Sequence, residues 1–194
     1  MKLDTNVIGI GGNARSGKDT LAENLVEILK ELGIKSQKVS FAHALKSSVD
    51  DFLLRELGIS AFTENSDEKQ IIRPFLVCWG TNVMRSRNPK VWIEKLHSFL
   101  KEDEVNIISD MRFENEHEWI KEVGGRTILI KRPGVKPANI YEEQENQKLS
   151  GLVDLKFGMA NLSDQEMIKG LSYEILNSLL TEEVLETWKA TCPS

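Results

Sequence analysis

Val7-Ile8-Gly9-Ile10-Gly11-Gly12-Asn13-Ala14-Arg15-Ser16-Gly17-Lys18-Asp19-Thr20 is the stretch that decides the fold. The apolar run from Val7 to Ile10 reads as a strand. A glycine-rich turn follows, and it opens a helical pattern carried by Leu21, Leu25, Ile28, Leu29 and Leu32 and ended by Gly33. Strand, loop and helix in the spacing GxxxxGK are the arrangement of a phosphate-binding P-loop. Each part has a chemical task. Glycines let main-chain N–H groups converge on one anion, where a side chain would clash. The helix start adds the positive end of its dipole. Lys18 supplies a mobile point charge for the β- and γ-phosphates. The residue after such a lysine is ordinarily Ser or Thr, whose hydroxyl binds Mg²⁺; here it is Asp19, followed by Thr20. Two ligands are therefore open: the Asp19 carboxylate, a harder donor, or the Thr20 hydroxyl.

The 194 residues suit one domain with a full core, and a net charge of −5 argues against direct nucleic-acid binding by the chain as a whole. Two cysteines, Cys78 and Cys192, lie too far apart in sequence for a metal or redox motif and suit a reducing compartment. No apolar run approaches the roughly 20 residues of a membrane span, and the start of the sequence has no signal-peptide pattern. The expectation is a soluble cytoplasmic protein without a membrane partner, in the host cytoplasm if a phage encodes it.

Beyond the first helix, Lys38 to Phe41 reads as a short strand, and Ala44 to Leu57 as one helix stopped by Gly58. Ser60 to Ser66 has turn character. A helix over Asp67 to Arg85 is interrupted by Pro74, which places its proper start near the proline. Val91 to Leu100 is another helix. Val105 to Asp110 is a buried-type strand ending in a carboxylate, followed by a helix over Glu114 to Val123 and a strand over Thr127 to Ile130. Val135 to Ser150 is polar and reads as a mobile or surface segment. Leu152 to Phe157 is a fifth strand, Gln165 to Leu180 a helix, and Val184, Leu185 and Trp188 mark a short tail helix. Alternating strands and helices predict an α/β fold with a parallel sheet, in which ligands sit at the carboxyl ends of strands. The P-loop, Phe41-Ala42 and Asp110 all stand at such ends.

Asp110 at its strand end reads either as a Mg²⁺-holding carboxylate or as a helix cap. Arg112 places a cation beside it. Arg15 lies in the loop, Arg132 follows a strand, and Arg73, Arg85 and Arg87 flank an apolar helix. Guanidinium groups bind phosphate through paired donors that lysine cannot copy. Phe41 and Trp92 offer faces on which a base could stack, with core packing as the other reading and the favoured one for Trp92. His43 reads as a cap, surface or catalytic residue; His97 and His117 read as surface.

The loop GNARSGKDT, the segment RPFLVCWGTNVMR from Arg73 to Arg85 with Trp92 beyond it, and IISDMRFENE from Ile107 to Glu116 followed by GGRTILIKRPG resemble bacteriophage deoxynucleoside monophosphate kinases. The likeness runs from the N-terminus to about Gly134. It implies a P-loop kinase fold: three α/β/α layers around a mostly parallel five-stranded sheet. The chain would be a single domain over 1–194, with an acceptor-binding helical region at about 43–100 and a lid-like segment at about 132–150. The implied cofactors are ATP and Mg²⁺, and the implied partner is a small-molecule nucleotide substrate. By that resemblance Gly12, Asn13, Ala14, Arg15, Ser16, Gly17, Lys18, Asp19, Thr20 and Arg132 hold ATP. Asp19, Thr20 and Asp110 are the metal ligands, and Lys18, Arg15, Asp110 and Arg112 carry catalysis. Phe41, Lys46, Arg73, Arg85 and Trp92 face the acceptor. A homodimer is compatible with the sequence. The alternatives are a dephospho-coenzyme A or phosphomevalonate-type kinase, or a nucleotide-binding regulatory protein without turnover.

Overall fold

A computed structural model describes residues 6–137, 140–158 and 165–179. The tail helix around Val184, Leu185 and Trp188, and Cys192, lie outside these residues. The chain divides into two compact units: Met1–Val39 with Leu100–Ser194, and Ser40–Phe99.

The first unit is built on five strands: β1 (Val7–Gly12), β2 (Ser36–Val39), β3 (Val105–Met111), β4 (Arg126–Lys131) and β5 (Leu155–Gly158). Their spatial order is β2-β3-β1-β4-β5, and every neighbouring pair is parallel. The glycine-rich loop thus leaves the middle strand. Helix α1 (Lys18–Glu31) buries Leu21, Leu25, Ile28 and Leu29 on one sheet face with Ile8, Ile10, Ile107, Ile128 and Ile130. Helix α8 (Gln165–Leu179) adds Ile175 and Leu176 to the same cluster. Each such side chain contributes about 1.5–3 kcal/mol on burial, so the α1 register is strongly fixed. Helix α6 (Glu114–Glu122) covers the other face, with Ile120 against Gly9 of β1. Asp154 fastens the edge: it accepts from Lys121 Nζ (2.6 Å), Thr127 N–H (2.8 Å) and Thr127 Oγ1 (2.9 Å).

The second unit is helical: α2 (Phe41–Ser47), α3 (Asp50–Leu57), α4 (Ser66–Val77) and α5 (Val91–Leu96). Four details differ from the sequence expectation. Phe41 opens helix α2 and is not the last residue of a strand, because the Ser40 hydroxyl caps the helix by accepting from His43 N–H. The expected single helix from Ala44 to Leu57 is two, broken where Ser48 Oγ donates to the Leu45 carbonyl in competition with the ladder. Helix α4 starts at Ser66, eight residues before Pro74, because Asn65 caps it by accepting from Asp67 and Glu68 N–H. The proline sits inside the helix, and from Cys78 to Arg85 the chain runs on in the wider π-helical register. Finally, 135–150 is largely helix α7 (Ile140–Leu152) of the first unit, seated by the fully buried Leu149.

Candidate active site

Between β1 and α1 the backbone turns through the left-handed region at Gly12 (φ 139°), Arg15 (64°) and Gly17 (99°). A Cβ on Gly12 would run into the Ile130 carbonyl oxygen of β4 and come within 2.9 Å of Ser16 Oγ. Only glycine fits there. Arg15 is the one non-glycine residue with positive φ among the described residues. The Ser16 hydroxyl is fully buried and has no hydrogen-bond partner in the structure. Such an orphan costs about 1–3 kcal/mol, and a phosphate oxygen held in the loop would satisfy it. The donor set therefore fits a phosphate.

Lys18 is buried at 6% exposure, and its Nζ donates to the carbonyl oxygens of Gly12 (2.9 Å) and Asn13 (2.7 Å). Burial pulls its ammonium below the usual lysine range, and the Arg112 guanidinium adds to the effect; Asp19, Glu142 and Asp110 oppose it. Arg112 and Asp110 come from the end of β3, the parallel neighbour of β1, and their charges act on Lys18. Asp19 points outward, accepts from Ser109 Oγ at 2.9 Å and lies 3.6 Å from Lys38 Nζ. Thr20 is half-buried beside it. The turn after β3 is held by Glu116, which is 1% exposed and accepts from the N–H groups of Arg112 (2.8 Å) and Phe113 (3.1 Å). Arg132 donates to the Arg15 carbonyl at 3.4 Å.

Of the sequence-predicted residues of the first unit, Asp19, Asp110 and Arg112 lie near enough for their charges to act on Lys18. Phe41 and Trp92 are buried, and the Trp92 indole N–H donates to the Gly80 carbonyl at 3.0 Å, which is the packing reading. Lys46 Nζ stands 5.6 Å over the Phe62 ring. Arg73 is exposed on α4, while Arg85 closes the π-helical run and donates to the Pro89 carbonyl at 3.4 Å. His43 is exposed, with its ring 5.1 Å from Phe62 and 4.8 Å from Phe99. His97 is exposed as read, but His117 is not: it is 7% exposed, and its Nε2 meets the Leu152 carbonyl at 3.2 Å. Its burial follows from its position on the sheet-facing side of α6, next to Glu116 and ahead of Ile120.

Sequence reasoning missed the contribution of α7. Glu142 Oε1 accepts from the Ala14 N–H at 3.2 Å, and Asn146 Nδ2 donates to Asn13 Oδ1 at 2.6 Å. Asn13 Nδ2 in turn donates to the Val135 carbonyl at 3.2 Å. A cleft of about 390 Å³ lies among Asn13, Ile130, Arg132, Val135, Asn146 and Gln147. The signal was weak because α7 has no apolar stripe: Leu149 is its only buried residue. Among the described residues no cluster of three or more His, Cys, Asp or Glu side chains could hold a metal, and no helix is long and apolar enough to cross a membrane.

The chain is 31% identical over 152 residues to a protein of Acanthamoeba polyphaga mimivirus inferred to be a deoxynucleotide monophosphate kinase, covering 66% of this chain and 75% of that protein. It is 27% identical over 144 residues to an uncharacterized protein of Ictalurid herpesvirus 1, covering 72% of this chain and 53% of the relative. These relatives do not carry the bacteriophage assignment. In structure the chain resembles shikimate kinase from Bacteroides thetaiotaomicron (TM-score 0.52, 14% identity, 88% of this chain and 96% of that one), which shows the shared P-loop kinase fold. The family model of phosphomevalonate kinase matches residues 10–126, from the loop strand through the start of β4. With that match over more than half its length and Lys18 at the centre of the site, the chain belongs to the phosphomevalonate kinase family of P-loop kinases.

Proposed function

We propose that this kinase transfers the γ-phosphoryl group of ATP to a deoxynucleoside monophosphate, giving ADP and the deoxynucleoside diphosphate. The observation that carries the donor half is the convergence of Asp19, Asp110 and Arg112 on Lys18, beside the orphaned Ser16 hydroxyl. The viral relative supports the acceptor half.

The nucleophile is a phosphate oxygen, ionised at neutral pH, so no strong general base is required. Catalysis is then positioning and cancellation of charge between two anions. The loop amides and Ser16 grip the donor phosphates. Lys18 leaves its two carbonyl partners for the phosphate oxygens. Arg112 and Arg15 meet the charge spread over the transferring group. Arg73, Arg85 and Lys46 take the acceptor phosphate. The adenine would lie in the cleft lined by Ile130 and Val135, where the amides of Asn146 and Gln147 offer both donors and acceptors. Mg²⁺ would be held by Asp19 or Thr20 with Asp110, and would supply charge neutralisation for the phosphate oxygens. A site with one or two carboxylates and no dedicated cage suits that ion.

The family match favours one second reading, mevalonate 5-phosphate as acceptor. Both are decided by one assay. ADP release from ATP is followed with each dNMP, with mevalonate 5-phosphate and with dephospho-coenzyme A. Release dependent on a dNMP is expected. Release with mevalonate 5-phosphate alone would replace the first reading by the second. ATP binding without any acceptor-dependent release would leave a regulatory protein.

A further inference from the structure

The described segment after β4 brings one arginine, Arg132, to the loop carbonyl of Arg15, and beyond it the acidic Glu142 of α7; Arg132 is the last arginine of the sequence. Helix α7 is anchored at its far end. Leu149 is fully buried, the Leu152 carbonyl meets His117, and Asp154 just beyond is bound to Lys121 and Thr127. Its near end is exposed, with Ile140 and Tyr141 open to solvent. Tyr141 leans on Phe113 at 6.1 Å between ring centres, and the next residue, Glu142, places its carboxylate oxygen on the Ala14 N–H. That N–H belongs to the GxxxxGK loop, whose amides are the anion-binding groups of the site. The Glu142 charge also acts on Lys18, the other anion-seeking group. A carboxylate is thus lodged among donors built for phosphate.

We propose that Glu142 is an internal competitor of the nucleotide: its carboxylate holds the loop's anion position and is displaced when a triphosphate binds. The proposal rests on the loop's binding ATP and not on which acceptor is used. Two like charges within a few ångströms repel strongly in a partly buried site. Entry of the triphosphate therefore drives the near end of α7 off the loop, while the buried far end stays seated. Asn146, one turn further along, keeps its place in the wall of the cleft. Apparent affinity is reduced by the fraction of molecules in which Glu142 is engaged. Removing the charge raises affinity for the phosphate chain and leaves affinity for the nucleoside alone unchanged.

The test is calorimetric titration of the full chain with ATP, with inorganic tripolyphosphate and with adenosine. Glu142→Gln and Glu142→Ala are compared with the native protein, and Glu145→Gln, which removes a neighbouring charge paired to Lys148 on the same helix, is the control. ATP and tripolyphosphate are expected to bind about tenfold more tightly to both Glu142 variants, with adenosine and the control unmoved within about twofold. Equal or weaker binding of ATP to the Glu142 variants overturns the proposal, as does an equal gain for adenosine, which would mean general loosening of α7. Weaker ATP binding with a raised Mg²⁺ requirement would make Glu142 a metal-side residue instead. If neither native protein nor variants bind ATP, the donor assignment itself falls.

Discussion

Replacing Glu116 by alanine tests whether the turn that presents Arg112 is held by one buried carboxylate. The side chain is 1% exposed and accepts two main-chain hydrogen bonds, from Arg112 at 2.8 Å and Phe113 at 3.1 Å. A hydrogen bond to a charged group is worth about 1.5–3 kcal/mol, and a buried donor left unsatisfied costs a similar amount. Removing the carboxylate also relieves its own burial cost, which offsets part of this. The net loss for Glu116→Ala is therefore about 2–4 kcal/mol. Glu116→Gln keeps an acceptor oxygen of the same reach and should lose only about 1 kcal/mol. Equilibrium unfolding in urea measures both, with an unchanged denaturant slope as the check that only stability has moved. Kinetics supply the second readout: the alanine variant should lose kcat as Arg112 loses its fixed turn, with KM for ATP nearly unchanged. A stability loss under about 1 kcal/mol, or a glutamine variant as impaired as the alanine, would refute the reasoning.

Arg112→Ala should keep its fold and lose most of kcat, since one arginine on a transferring phosphoryl group supplies about 10³–10⁵ in rate; a fall of less than about tenfold in steady-state turnover removes that role. Asp19→Asn should raise the Mg²⁺ concentration for half-maximal rate if Asp19 is the ligand, whereas Thr20→Ala should do so if the hydroxyl is. An unchanged Mg²⁺ requirement in both discards the loop metal assignment. Asp154→Asn should destabilise the chain by about 1–2 kcal/mol at neutral pH, because two donors on fully buried Thr127 depend on the carboxylate. Burial alone would raise the Asp154 pKa, but Lys121 and Thr127 outweigh it and hold it below the ordinary 3.8. A lowered folded pKa means the stabilisation is complete above the ordinary value and is lost as pH falls through the folded one. The gap between native and variant melting temperatures should therefore close in acid, and a constant gap would contradict it.

The strand, loop and first helix were legible because their signals are local: an apolar run, two glycines and a 3.6-residue period all lie within residues 7–33. The five strands were legible for the same reason, with boundaries shifted by a few residues at β2 and β5. Where side chains bond their own backbone the reading failed. Ser40 and Ser48 moved one helix start and split one helix, and Asn65 started α4 well ahead of Pro74. Helix α7 was taken for surface chain because a helix polar on every side leaves no period to detect. In the site, the loop and its lysine were readable from spacing, and so was a carboxylate next to an arginine at the end of β3. Their convergence was not, since it depends on β3 lying beside β1. Ser109, Glu142 and Asn146 escaped because each meets the site through a contact across a long stretch of sequence, whereas Glu116 acts locally, through the N–H groups three and four residues before it. His117 was misplaced because nothing in its neighbours marks that side of α6 as covered.

Arg15 is seated in a backbone shape that costs an L-amino acid about 1–2 kcal/mol and glycine almost nothing. A laboratory selection for heat resistance alone would therefore tend to install glycine or asparagine there, and, on the role proposed for Arg15, the survivors would be sturdier proteins with poorer turnover. Any homologue engineered or recovered with glycine at this place should accordingly be suspected of having traded catalysis for durability.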